Sequence, residues 1–111
     1  MLPKDYRLVH DRDFQRVYRG RQSVRCPEGA IFFIPNHQGK SRFGFVVSKK
    51  FGSATARNRV KRLYREAVRL NLSQIQSGYD FVISIRASKS DSTLWHVQPV
   101  VLGLYKRARL L

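Results

Sequence analysis

Between positions 56 and 70 the chain carries Arg57, Arg59, Lys61, Arg62, Arg65 and Arg69 against one acid, Glu66, with Asn58 among them and no Gly or Pro. On a helix advancing about 100° per residue, Arg57, Lys61 and Arg65 form one stripe. Asn58, Arg62 and Arg69 form the adjacent stripe, and Arg59 lies further round. Like charges four residues apart cost roughly 0.2–0.5 kcal/mol per pair. A face kept only for solubility interleaves acids to avoid that cost. This one does not, so it suits phosphate oxygens, which Arg forks meet in bidentate fashion. Lys49 and Lys50 stand just upstream. They are either an ordinary exposed pair or extra charge near the helix N-terminus, where free backbone N–H groups also favour an anion.

Phe14 and Tyr18, one helical turn apart, are the second feature. Aromatics at this spacing pack a core, or they offer a platform on which single-stranded bases stack. Phe32 and Phe33 are consecutive in a strand-like run, so they point to opposite faces. One packs under helices and the other is free for a cleft, and the alternation does not say which. Catalytic candidates are sparse. His10, His37 and His96 have no metal-ligand spacing, and Asp11 with Asp13 sits where helix capping explains the pair. There is no Gly-x-Ser-x-Gly motif, and the Gly52-Ser53-Ala54-Thr55 stretch lacks the Lys-Ser/Thr of a P-loop. Cys26, the only cysteine, precedes Pro27 in a turn. These residues predict no catalytic group and no metal site in the protein itself.

The whole chain has 111 residues and a formal net charge of +15. That length suits one domain spanning residues 1–111. The apolar fraction of 42% supports a core, so wholesale disorder is excluded. Such a charge calls for a polyanion, and the choices are nucleic acid and a membrane surface. Residues 1–7 hold no apolar core of a secretory signal. Apolar runs such as 30–34 fall far short of the ~20 residues a membrane span needs. A basic helix that turns its apolar side to a core also disfavours a membrane. One cysteine excludes an intrachain disulfide and fits a reducing, cytoplasmic location.

The elements that must position these residues follow from periodicity. Residues 1–10 read as polar and extended. A helix capped by Asp11 or Asp13 runs to Tyr18, with Phe14, Val17 and Tyr18 on its apolar face and Gly20 as its stop. Strands are predicted over 22–26 at an edge, over 30–34 and over 43–48, with 37–41 as a hairpin loop between the last two. The basic helix spans 56–70, capped by Ser53 or Thr55, with Val60, Leu63, Tyr64 and Ala67 turned inward. Tyr79–Ile85 is nearly all apolar and reads as a central strand. A last helix covers 92–107, kinked at Pro99 or starting only near Gln98. The order α-β-β-β-α-β-α predicts an α+β fold, a small four-stranded sheet with helices on one side.

Phe43-Gly44-Phe45-Val46-Val47-Ser48-Lys49-Lys50-Phe51-Gly52, continuing through Arg57-Asn58-Arg59 to Lys61-Arg62 and Arg65, resembles the signature of the bacterial ribonuclease P protein component. Asp13-Phe14 through Tyr18 resembles that family's first helix, and Tyr79 to Arg86 its late strand. The likeness extends from about Leu8 to Arg107. It implies a protein subunit that partners a catalytic RNA and assists removal of the 5′ leader from precursor tRNA. Mg²⁺ is then held mainly by the RNA, and no obligate protein partner is needed. It implies a left-handed β-α-β crossover through the basic helix. It also implies that Arg57, Asn58, Arg59, Lys61, Arg62 and Arg65 face the RNA subunit. Phe14, Tyr18, Phe33, Lys49, Lys50 and Lys89 then line the leader cleft. Tyr18 stands where the family more often has Phe, and Pro99 is not part of the family pattern. The alternative function is a structural, ribosomal-type RNA-binding protein, which shares the charge without the leader cleft.

Overall fold

Leu2 and Leu8 flank a single 3-10 turn, Lys4–Tyr6, and both leucines are buried. The computed structural model describes residues 2–86 and 93–111. The N-terminal segment, expected to be polar and extended, is therefore fastened to the body. Arg7 bridges to Phe43 in parallel fashion, and the Leu8 N–H donates to the Phe43 carbonyl at 2.8 Å.

Helix α1 is Asp11–Arg19 and ends at Gly20 as expected. Its cap position is His10, which makes no side-chain cap bond, so neither aspartate is the cap. Asp11 and Asp13 lie instead in the first turn, where negative charge suits the helix dipole. Strand β1 (Ser23–Cys26) pairs antiparallel with β2 (Gly29–Pro35), and β2 pairs antiparallel with β4 (Tyr79–Ile85). Strand β3 (Arg42–Val47) lies parallel to β4. The sheet order is β1-β2-β4-β3. The nearly all-apolar β4 is central and β1 is an edge, as read from the sequence. The predicted hairpin between β2 and β3 is not formed, because β4 inserts between them. Parallel neighbours need a long crossover, and helix α2 (Ala54–Leu70) supplies it.

Ser53 caps α2, its hydroxyl oxygen accepting from the Ala56 N–H at 3.1 Å. Val60, Tyr64, Ala67 and Val68 are buried along the side facing the sheet. Helix α3 (Leu94–Arg107) runs through Pro99 and starts from a capping box between Thr93 and His96. Pro99 therefore neither begins the helix nor ends it. Helices α2 and α3 share one core with Ile31, Phe43, Phe45, Phe81, Ile83 and Ile85. The opposite sheet face forms a smaller core of Leu8, Val17 and Val82, edged by Phe14, Tyr18, Phe32, Ile34 and Val46. Helix α1 sits there, so helices cover both faces and not one. The unbroken apolar run of Phe81, Val82 and Ile83 is the sequence mark of that double coverage.

Candidate nucleic-acid interface

The outer side of α2 presents Asn58, Arg59 and Arg62 exposed, with Arg57, Lys61 and Arg65 half-buried beside them. Arg57 donates from Nη1 to the Gly52 carbonyl at 2.6 Å and so ties the helix to the turn before it. That turn needs glycine, because Gly52 has φ 156° and ψ −158°. Lys49 and Lys50 stand exposed in the 3-10 turn Lys49–Phe51 leading into it. Arg69, at the far end, is bound to Glu66, donating from Nε at 2.9 Å and again from Nη2. Those bonds raise Arg69 above its usual pKa and hold Glu66 below its own. The single acid of the helix is thus paired with Arg69.

The second candidate surface lies across the sheet. Phe14 rests over Gly44 of β3, where a methyl group would come within 2.5 Å of the Phe14 ring. Tyr18 meets Phe32 edge to face, with ring centroids 5.0 Å apart. Both α1 aromatics remain half-buried, and burial raises the Tyr18 hydroxyl pKa. The register aligns Phe32, Val82 and Gly44 across the sheet, so the aromatic pair spans that row. The next row, Ala30, Ser84 and Val46, lies beyond it. A shallow pocket of about 130 Å³ opens there, lined by Arg25, Gly29, Ala30, Phe32, Ser84 and Arg86. The charged ends of β1 and β4 therefore border the open floor beside the Tyr18–Phe32 pair.

Phe33 does not belong to this surface. Its side chain points to the α2–α3 side and packs 6.2 Å from Tyr79 and 6.3 Å from Phe81, centroid to centroid. Strand alternation gives the α1 side to Phe32 instead, which corrects the expectation for Phe33. Lys89 lies outside the described residues.

A group absent from the sequence-based expectation holds α1 in place. Asp80 of β4 has no exposed surface. Its Oδ1 accepts from Arg42 Nε at 3.0 Å and Asn36 Nδ2 at 2.9 Å. Its Oδ2 accepts from Arg42 Nη2 at 2.7 Å and from Arg16 of α1. Burial pushes the Asp80 pKa up, but the bonds from Arg42 and Asn36 and the nearby arginine charges outweigh it and hold the group below the usual carboxylate range. Asp13 joins the rim, 3.8 Å from Arg42 and 4.0 Å from Arg16. Among the described residues no three His, Cys, Asp or Glu side chains gather as a cation site. The Asp80 oxygens are already taken by Arg16, Arg42 and Asn36, so this carboxylate is not open to a cation.

The sequence model of the family described as Ribonuclease P matches residues 2–109. The ribonuclease P protein component of Pelotomaculum thermopropionicum is 41% identical over 103 residues, covering 93% of this chain and 92% of that protein. A Staphylococcus aureus RNase P protein mutant with defective mRNA degradation activity has a TM-score of 0.87 at 31% identity, covering 97% of this chain and 92% of that one. The RNase P protein from Thermotoga maritima gives 0.82 at 36% identity, covering 91% and 96%. Sequence and fold agree over nearly the full length, and the chain belongs to the ribonuclease P protein component family.

Proposed function

We propose that this chain, a protein subunit of ribonuclease P acting in tRNA 5′ maturation, carries two RNA surfaces on opposite sides of its sheet. The basic face of α2, from Arg57 to Arg65, takes the phosphates of the RNA subunit. The α1 side takes the single-stranded 5′ leader of precursor tRNA, with Phe14 and Tyr18 stacking bases and Lys49 and Lys50, in the turn that follows edge strand β3, holding its phosphates. Phe32 replaces Phe33 in this cleft. The half-buried aromatic pair over an open, basic-rimmed sheet face is the observation that carries the reading, because a purely structural RNA binder has no use for it. Stacking and phosphate contacts tolerate any base, so leader sequence is read weakly. Only the precursor has a leader, so this cleft favours substrate over product. The chain binds and orients, whereas cleavage with Mg²⁺ belongs to the RNA subunit in the cytoplasm.

The test is precursor-tRNA cleavage by a bacterial ribonuclease P RNA at low Mg²⁺, with and without this protein. Strong rescue at the leader junction, with no cleavage by protein alone, is the expected result. The mRNA degradation activity named for the Staphylococcus aureus protein makes the protein-alone lane a necessary control. Tight RNA binding without rescue favours the structural-binder alternative.

A further inference from the structure

Arg7 lies outside the basic helix, yet the fold brings it to the same face. It is paired with Phe43 at the β3 edge, and paired residues on neighbouring strands point to one side of the sheet. Phe43 is in the α2–α3 core, whereas the next residue, Leu8, is in the α1 core. The Arg7 side chain is therefore directed to the α2 side. Its Nε donates to the Leu2 carbonyl at 2.8 Å, which holds the guanidinium in a set position. Arg65 lies over the ring of Phe45, two residues along β3 on the same face, with 5.8 Å from guanidinium carbon to centroid. Arg62 is three positions before Arg65 on α2 and is exposed. Burial, then the charges of Arg7 and Arg62, pull Arg65 below its usual pKa. Among the described residues no ion pair joins a carboxylate to any of the three: Asp5 pairs with Lys40, Asp80 with Arg16 and Arg42, and Glu66 with Arg69. Three guanidinium groups from two separate segments thus come together with no carboxylate ion-paired to them among the described residues.

We infer that Arg7, Arg62 and Arg65 form one socket for a backbone phosphate of the RNA subunit, so that the N-terminal segment widens the α2 interface beside the basic helix. The inference rests on the two-surface reading above. A phosphodiester oxygen set here accepts from three donors and relieves their mutual repulsion. The leader lies on the other side of the sheet and has no part in it.

The experiment is a double-mutant cycle on the full chain with Arg7→Gln and Arg62→Gln, reading affinity for ribonuclease P RNA across a salt series. Gln at position 7 keeps a donor for the Leu2 carbonyl while removing the charge. Each single variant is expected to weaken binding roughly tenfold and to flatten the log–log salt slope by about 0.7–0.9. The double variant should lose much less than the product, because one phosphate serves both arginines. Preference for precursor over mature tRNA should stay unchanged. Wild-type affinity and slope in Arg7→Gln, with a folded thermal transition, overturn the socket while leaving α2 as the RNA face. A wild-type protein that fails to bind the RNA subunit overturns the two-surface reading and the socket together. Inorganic phosphate supplies the second arm. If it stabilises wild type but not Arg7→Gln, while RNA binding is equal, the site takes free phosphate and the inference fails.

Discussion

At Asp80 a carboxylate with no exposed surface meets two guanidinium groups and one amide, drawn from α1, β3 and the turn after β2. Removing one partner of such a buried set costs about 3–5 kcal/mol, because the remaining charges stay buried and unpaired. Asp80→Asn keeps the shape and removes the charge, so urea unfolding should show a loss in that range. The pH dependence follows from the depressed pKa. The stability it contributes is complete above the unfolded value, about 3.9, and disappears as pH falls through the lower folded value. Wild type should therefore lose stability steeply below about pH 4, and Asp80→Asn should show a flatter acid limb. None of this was legible beforehand. The partners lie 38, 44 and 64 positions from Asp80, and no local spacing announces them. Asp13 read as a cap for the same reason: its real partner, Arg42, arrives only with the sheet.

Among the elements, α2 and β4 were the most legible, and for a shared reason. Both carry long, unbroken periodic or apolar patterns, free of Gly and Pro, that tertiary context had little room to override. The β2–β3 connection was misread because the turn residues at 37–41 fit a hairpin locally, and only the later arrival of β4 decides otherwise. The Phe32/Phe33 ambiguity is of the same kind, since alternation separates the two rings without naming the covered face. The one-sided helix layer failed because α1 is short and its apolar set, Phe14, Val17 and Tyr18, covers only part of its face. Pro99 marks a cost inside α3. It removes the backbone donor that would reach the Trp95 carbonyl, in a helix otherwise continuous from Leu94. Pro99→Ala should raise thermal stability by roughly 1–2 kcal/mol, the helix gain less the extra freedom of the unfolded chain. An unchanged or lower Tm would mean that the ring packs usefully where it stands.

For the whole molecule, a charge of +15 is confined to a body with a radius of gyration of 12.9 Å. Screening reaches only about 10 Å at 0.1 M salt, so at low ionic strength much of this charge repels itself. Millimolar sulfate or phosphate should raise Tm, with the gain growing logarithmically in anion concentration once sites fill. A Tm that ignores the anion would show that the charges are spaced too widely to matter. The charge also makes RNA affinity fall steeply with salt, whichever RNA is bound. Net charge alone therefore calls for a polyanion and does not say which RNA lies where. The proposed division between α2 and the α1 cleft makes that second statement.

The direct measurement of that division is holoenzyme affinity for precursor against mature tRNA, for wild type and for the Phe14→Ala, Tyr18→Ala double variant. Each base–aromatic stack contributes about 1–3 kcal/mol, so the double variant, which lacks both stacks, should lose roughly 30-fold or more of its preference for precursor. Its affinity for the RNA subunit should stay as in wild type. An unchanged preference, or an equal fall in both affinities, would contradict the leader cleft.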